Sequence, residues 1–360
     1  MCQLTYAEVN KRANPARMAK DYASKNKGTG TARERDLETK QSKMKTRNNL
    51  YNQICSIENL NLADDKARKG KVYQYGIKQH DKHRESNILL LREMLLNKTY
   101  RTSAYKKFTI HDPKEREIFC LPYFPDRIIH HAIMNILEPV FVSVFTADTY
   151  SCIKGKGIHG ALRAIKKALL DKTGTRYCLK LDIKKFYPSI DHAILKALLR
   201  KIIKDSDLLM LLDEIIDSAD GVPIGNYLSQ YFANFYMAYF DHWIKEVKRV
   251  KYYFRYADDL VIFSGDKESL HKLLVEIREY LGDHLKLTAK DNYQIFPVDA
   301  RGLDFVGYRF YHTHILLRKR IKQRFIKMLK YRKNDKSIAS YKGWIQHCNG
   351  KHLLKKLLHE

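Results

Sequence analysis

The apolar positions of this chain recur at two different spacings. Over residues 48–106 they repeat every three to four positions, which predicts helices. Over residues 107–122 polar and apolar residues alternate around the turn-forming His111-Asp112-Pro113, which predicts a β-hairpin. Further helices are expected at about 126–145 and from Ile158 onward.

An apolar strand, Tyr177–Ile183, opens the second half of the chain. The elements expected after it are a helix from about 191, a long helix over about 226–248, strands at 251–256 and 260–264, an amphipathic helix at 267–281, short strands to about 317, and basic, mostly helical sequence over 318–360. Strands and helices do not alternate regularly. The pattern therefore predicts an α+β fold and not a doubly wound parallel sheet.

The charge balance points to a polyanionic partner. Lys and Arg number 67 against 40 Asp and Glu, which gives a net charge of +27. Because so large an excess repels itself in a compact chain, we expect nucleic acid to neutralise it. Residues 1–47 are polar and basic, and we predict a flexible N-terminal extension there.

Cysteine spacing and hydropathy exclude other classes. None of the six cysteines belongs to a C-x-x-C pair, so a zinc site or disulfide framework is not expected and a reducing cytoplasm fits. No run of eighteen apolar residues occurs, so we expect no membrane span and no membrane partner.

Three aspartates form the strongest candidate for chemistry. Asp258 and Asp259 adjoin in the turn between two apolar strands, and Asp182 ends a third. An Asp-Asp turn alone is usually just solvated. Two-metal phosphoryl transfer, however, requires carboxylates from separate strands at one sheet edge, and Mg²⁺ prefers carboxylate oxygens. The three aspartates together therefore predict a two-metal site.

Three segments, in this order, resemble motifs of reverse transcriptases: Leu181–Ile190, Tyr256–Asp259, and a primer-grip hairpin at Gly302–Phe310. The resemblance implies a right-hand polymerase fold. Its expected domains are an N-terminal basic extension (1–47), fingers with part of the palm (48–176), palm (177–315), and a thumb-like basic helical region (316–360). It also implies an enzyme, an RNA-directed DNA polymerase, that uses dNTPs, an RNA template and a primer or cDNA duplex.

The resemblance assigns catalytic and nucleotide contacts. The catalytic residues are Asp182, Asp258 and Asp259, and two Mg²⁺ ions, for which Mn²⁺ can substitute, are expected at Asp182, Ile183, Asp258 and Asp259. Tyr187 matches the steric gate that excludes a ribose 2′-hydroxyl, and Phe186 is a candidate to share that role. Cations for the triphosphate are expected at Lys114, Arg116 and Arg127, with Arg116 the strongest choice. Lys290 matches a lysine that protonates the leaving pyrophosphate.

The segment Gly221–Gln230 indicates a subtype. Ile224, followed by Gly225, stands where most reverse transcriptases carry a glutamine that contacts the incoming nucleotide. This segment resembles the reverse transcriptases of bacterial and phage diversity-generating retroelements. Such a member copies RNA with errors at template adenines, diversifies a target gene, and works with a small basic accessory protein that forms a pentamer.

Contacts with template and primer are expected at Ser229, Gln230, Tyr256, Gly307, Arg318, Lys319, Arg320 and Lys322. His130, His131 and His159 invite a metal hypothesis, but no third ligand is evident, so packing or phosphate contact is favoured over zinc. Two other functions stay open: a phage-defence reverse transcriptase, and a non-catalytic RNA-binding or splicing cofactor.

Overall fold

The computed structural model describes residues 47–111, 115–331 and 334–358. The predicted basic extension, apart from Arg47, and Lys114 lie outside the described residues. The chain divides into two compact units, one formed by 47–144 with Tyr187–Lys248 and the other by Phe145–Phe186 with 249–358. The boundaries of fingers, palm and thumb stay predictions.

The first stretch of the first unit is mostly helical, as predicted. Its elements are α1 (Tyr51–Ile54), α2 (Ile57–Arg68), α3 (Tyr75–Asp81), α4 (Arg84–Leu96), β1 (Lys106–Ile110), β2 (Arg116–Cys120), a π-helical turn (Tyr123–Arg127) and α5 (Ile128–Val144). The predicted hairpin is confirmed, since β1 and β2 pair antiparallel from Lys106↔Cys120 to Ile110↔Arg116. Its strands are largely exposed, whereas α5 buries most of its side chains.

The next stretch crosses from the second unit back to the first. Its elements are α6 (Gly157–Ala168), β3 (Tyr177–Asp182), a 3₁₀ turn (Tyr187–Ser189), α7 (His192–Ile202), α8 (Ser206–Asp217), α9 (Tyr227–Tyr236), α10 (Ala238–His242) and a π-helical turn (Trp243–Val247). Asp191 and Asp205 begin α7 and α8, because each carboxylate accepts a hydrogen bond from a first-turn amide.

The prediction of one long helix at about 226–248 is wrong in one respect, since the structure has three helical segments there. The amide of Asp241 donates to Met237 O across four residues, but the amide of Lys248 donates to Trp243 O across five. Aromatic side chains in all three segments are buried. Because burial continues across the breaks, the spacing of apolar residues does not reveal where one helical segment ends and the next begins.

The remainder of the second unit contains β4 (Tyr252–Tyr256), β5 (Asp259–Ser264), α11 (Lys267–Leu285), β6 (Gln294–Pro297), α12 (Val298–Arg301), β7 (Leu303–Phe305), β8 (Tyr308–Phe310), β9 (Ile315–Leu317), α13 (Lys319–Tyr331), α14 (Asp335–Ile345) and α15 (Lys351–Leu358). One antiparallel sheet has the order β4-β5-β3-β6, and a second has the order β7-β8-β9. This mixture of helices and antiparallel sheets confirms the predicted α+β class. Among the described helices, none is long and apolar enough to span a membrane.

A tight turn between β7 and β8 depends on a glycine. Val306 and Gly307 have φ of 41° and 91°, which is the backbone of a two-residue type I′ hairpin. A Cβ on Gly307 would overlap the ring of Trp344, and the Tyr308 hydroxyl donates to Trp344 O at 3.0 Å. The mixed aromatic stretch around Trp344 therefore packs on this hairpin.

Gly307→Ala should destabilise the protein by about 1–3 kcal/mol, because it combines left-handed backbone strain with the overlap at Trp344. Gly282→Ala is the matched control, since Gly282 lies inside α11 with open space around it. The control should gain roughly 0.5–1 kcal/mol from helix propensity. Urea denaturation checks both variants, and equal stability of the two would contradict the packing described for Gly307.

Candidate active site

Strand register brings two of the predicted carboxylates together. Asp182, the last residue of β3, is the direct partner of Asp259, the first residue of β5. Directly opposed residues of an antiparallel pair have Cβ atoms about 4.5–5.5 Å apart on one face of the sheet. The amide of Ile183, which is fully buried, donates to Asp258 O at 3.3 Å and joins the third aspartate to the same strand end.

Arg255 stabilises the turn that carries Asp258. Tyr256 pairs with Asp259, so Ala257 and Asp258 form a two-residue turn, and Ala257 has φ of 54°. Arg255 is fully buried, and its Nη1 donates to Ala257 O at 3.1 Å. Its backbone also pairs with the 148–150 segment. Arg255 was not predicted, although an arginine inside an apolar strand is a usable signal.

The three carboxylates repel one another. The pKa of Asp258 is raised to about 6, first by burial and then by the charges of Asp259 and Asp182. A buried carboxylate beside two others is suited to a divalent cation, which supplies the missing positive charge. The donor set therefore fits the predicted metal.

This cluster is not a closed metal cage. Within the described part of the chain, no three or more His, Cys, Asp or Glu side chains are arranged to hold a metal ion by themselves. Mg²⁺ usually takes only one or two protein carboxylates and completes its shell with water and substrate phosphates. An open carboxylate edge is thus what a magnesium-nucleotide complex requires.

Lys290 lies beside the carboxylate cluster. Its Nζ is 2.6 Å from Asp182 Oδ2, and its amide donates to Asp182 O at 2.8 Å. The amide of Lys184 donates to Thr288 O, so the 288–290 segment extends the sheet beside β3. Lys290 here pairs with a carboxylate, and the protonation of pyrophosphate stays a prediction.

Comparison with known proteins decides the family. Residues 106–310 match the family described as "Reverse transcriptase (RNA-dependent DNA polymerase)". This chain belongs to the reverse transcriptase family. The match covers more than half of the chain and includes Asp182, Asp258 and Asp259, and it supports the predicted right-hand polymerase fold.

The relatives of this reverse transcriptase are distant. Protein YkfC of Escherichia coli (strain K12) is 24% identical over 281 residues, which cover 65% of this chain and 72% of YkfC. The group II intron-encoded protein LtrA of Lactococcus lactis subsp. cremoris is 25% identical over 208 residues, or 54% of this chain. This chain spans only 32% of the length of LtrA.

Among solved structures, apo telomerase from Candida tropicalis, truncated from its C-terminal domain, is similar with a TM-score of 0.44 and 14% identity. That similarity covers 66% of this chain and 60% of the telomerase chain.

The other predicted nucleotide contacts of the reverse transcriptase belong to the first unit. Arg116 is exposed at the start of β2. Arg127 is half-buried, and its Nη2 lies 3.3 Å from Cys120 Sγ. Tyr187 is half-buried, whereas Phe186, the last residue of its segment in the second unit, is buried. The steric-gate role stays a prediction.

The predicted template and primer contacts fall into two groups. The side chains of Gln230, Lys319, Arg320 and Lys322 are exposed. Ser229 is 3% exposed inside α9, a position that packs and does not present its hydroxyl to a duplex. Arg318 donates to Asp304 Oδ1 at 2.5 Å. Tyr256 is half-buried against the core of the second unit, and Gly307 is buried against Trp344.

His130 is buried, His131 is half-buried and His159 is exposed, and the choice between packing and phosphate contact stays a prediction. His130 is buried and the His131 ring stacks on Tyr227 at 4.5 Å between centroids. His159 packs against His347 at 4.0 Å. Burial lowers the pKa of His130 to about 3, which keeps it neutral.

The carboxylate cluster predicts a pH-dependent stability. Because the pKa of Asp258 rises from 3.8 to about 6 on folding, the folded state binds more protons between these values. Metal-free stability should therefore fall by up to about 3 kcal/mol as pH rises from 4 to 7. Asp258→Asn should lose this part of the pH dependence, and millimolar Mg²⁺ should stabilise the wild type more than the variant.

Thermal denaturation across this pH range checks the prediction, with Asp283→Asn, an exposed site on α11, as the control. Identical pH profiles for wild type and Asp258→Asn would contradict the raised pKa of Asp258.

Arg255 should act as a positioning residue. Arg255→Lys keeps the charge but loses the fork that reaches Ala257 O, so kcat should fall roughly 10- to 100-fold with KM for dNTP nearly unchanged. Primer-extension kinetics measure both constants, and Arg278→Lys on the surface is the matched control. An unchanged kcat in a folded Arg255→Lys protein would refute this role.

Proposed function

We propose that this reverse transcriptase copies an RNA template into cDNA with reduced accuracy at template adenines, and that the cDNA diversifies a target gene. The meeting of Asp182, Asp258 and Asp259 at one sheet edge supports the polymerase activity. The fixed and apolar Ile224 supports the low accuracy. The proposed location is the cytoplasm of a bacterium that carries the gene itself or through a phage.

Asp182, Asp258 and Asp259 would hold two Mg²⁺ ions. Bound Mg²⁺ supplies activation of the primer 3′-hydroxyl and charge neutralisation on the triphosphate. The register of β3 and β5 sets the spacing of the carboxylates, and Arg255 fixes the turn. In the absence of metal, Lys290 offers Asp182 a counter-charge that a metal ion would have to compete with or share.

The segment with Ile224 is rigidly placed within the first unit. The amide of Phe119 in β2 donates to Ile224 O at 2.8 Å. Gly225 has φ of 127°, and a Cβ there would overlap Phe119 O. Asn226 Nδ2 donates to the Tyr105 hydroxyl at 2.9 Å. These contacts hold Ile224 against the hairpin whose second strand begins at Arg116.

The Ile224 side chain brings no hydrogen bond to this fixed position. It is half-buried and purely apolar, so it cannot replace the amide of the glutamine common at this point of the motif. A lost hydrogen bond is worth about 0.5–1.5 kcal/mol, which corresponds to up to roughly tenfold in nucleotide selection. This loss is the physical basis proposed for errors.

The proposed partners are an RNA template, a cDNA or primer duplex, dNTPs, and a small basic accessory protein that forms a pentamer. The charge of +27 supports the nucleic acids. Exposed Lys319, Arg320 and Lys322 of α13 would follow duplex phosphates without reading bases.

A role in intron splicing is the second candidate, because relatives of this chain bear intron-related names. LtrA is one, and Nuclear intron maturase 1, mitochondrial, of Arabidopsis thaliana is 26% identical over 99 residues. A protein that only bound RNA would have no use for a buried carboxylate beside two others. A phage-defence role would use the same chemistry with a different product.

Sequencing of cDNA made on a primed RNA template with Mg²⁺ and dNTPs tests the proposal. The cognate RNA and accessory protein would be added where they are known. Wild type should misincorporate mainly opposite adenines. Ile224→Gln should reduce these errors severalfold, and Ile224→Leu, the matched apolar control, should not.

Accurate cDNA from the wild type would contradict diversification and favour a defence role. An equal error rate in Ile224→Gln would contradict the role of Ile224. Tight RNA binding without any cDNA would favour the splicing cofactor.

A further inference from the structure

Seven consecutive exposed residues make up the connection between α2 and α3 and the first residue of α3, in the first unit. The segment 69–75 has no buried side chain. Within it Tyr73 is 87% exposed and Tyr75 is 77% exposed, and Val72 is 46% exposed. Single exposed apolar residues are normal, but two tyrosines almost wholly in solvent within three positions contribute little to folding. Their presence calls for a partner outside the chain.

The segment is short and firmly anchored. The amide of Lys71 donates to Arg68 O and the amide of Gln74 donates to Lys71 O, both at 2.9 Å. A Cβ on Gly76 would lie 3.1 Å from Tyr123 Cβ, so the start of α3 packs closely on that residue. The two tyrosines are therefore presented by a folded turn.

The elements on either side of the segment meet in an ionic cluster around one buried carboxylate. The fully buried Asp64 carboxylate accepts from Arg68 Nη2 at 2.7 Å and Arg84 Nε at 2.6 Å, and it also accepts from the Tyr123 hydroxyl. Arg68 reaches Asp81 at 2.8 Å as well. The cluster joins the end of α2 to the end of α3 and the start of α4, which fixes both ends of the exposed turn.

The surface around the two tyrosines is cationic. No acidic residue occurs between Asp65 and Asp81, whereas Lys66, Lys69, Lys71 and Lys78 are exposed there. The pKa of nearby His131 is affected by the same positive charges. Its pKa is lowered to about 4 by burial and then by the positive charges of Lys71, Lys66 and Arg127. Positive charge is therefore concentrated on this face of the unit.

We propose that Tyr73 and Tyr75, flanked by Lys69 and Lys71, form a stacking site for single-stranded RNA. Exposed aromatic rings beside cations are the combination that holds unpaired bases, because every base offers a face for stacking and every linkage a phosphate. A duplex keeps its bases inside the helix and cannot use the rings. A basic accessory protein would meet like charge here.

This site is separate from the carboxylate cluster and is independent of polymerase activity. It gives the protein a second hold on RNA, in the first unit, at a point whose residues are not among the expected template contacts. Its test therefore measures RNA affinity and not cDNA synthesis.

The experiment uses the full chain carrying Asp258→Ala, so that catalysis does not enter. Fluorescence anisotropy with a labelled unstructured RNA dodecamer measures Kd over a salt series. The Tyr73→Ala/Tyr75→Ala double variant should bind roughly 25-fold or more weakly, since stacking on an aromatic ring contributes at least about fivefold per base. Tyr73→Phe/Tyr75→Phe should restore the affinity, and Leu170→Ala, at an 80% exposed position elsewhere, should not change it.

The salt dependence of RNA binding distinguishes the contribution of charge from that of stacking. Lys69→Gln/Lys71→Gln should reduce the slope of log K against log salt by about 1.4, whereas the tyrosine variants should leave the slope unchanged. A blunt RNA duplex should lose little affinity in the tyrosine variants.

Unchanged single-strand affinity in a folded Tyr73→Ala/Tyr75→Ala protein would overturn the proposal. The same conclusion would follow if these substitutions abolished binding of a protein partner and left the Kd for RNA intact. If the wild type makes cDNA but the tyrosine variants keep their RNA affinity, only the stacking site is refuted. If the wild type makes no cDNA but the tyrosine variants lose RNA affinity as predicted, only the polymerase activity is refuted.

Discussion

The sheet of the second unit must hold three carboxylates, which repel one another, at one of its edges. Asp182 and Asp259 oppose each other across β3 and β5, and Asp258 follows in the adjoining turn. Like charges directly opposite in a sheet are destabilising. The pKa of Asp258 is raised first by its burial and then by the charges of Asp259 and Asp182. The hydrogen bonds and apolar packing of the sheet offset this cost. A divalent cation turns the same arrangement from a cost into a binding site.

Much of this arrangement follows from the sequence. The apolar strand before Asp182 and the two strands around Asp258 and Asp259 predict carboxylates at strand ends, and the structure pairs those strands as the chemistry requires. The helix expected from about 191 has an equally local start, since Asp191 caps it through a first-turn amide. These features depend on a few neighbouring residues, which is why spacing alone reveals them.

Other features depend on contacts between distant residues. Lys290 reaches Asp182 because the 288–290 segment pairs with the end of β3. The residues around Lys290 do not predict this pairing. Gly307 was expected beside the primer, yet its lack of a Cβ also makes room for Trp344. Ser229 follows a motif that suggests nucleic acid, but the helix turns it inward. Burial of this kind is decided by tertiary packing.

If the three aspartates support RNA-directed DNA synthesis, removing one of them should abolish it. Primer extension on an RNA template compares wild type with Asp259→Ala, and with Asp283→Ala as an exposed control. Asp259→Ala should lower the rate roughly a thousandfold, since a bound metal contributes several kcal/mol, and the control should retain activity. Equal extension by wild type and a folded Asp259→Ala protein would contradict this role of the aspartates.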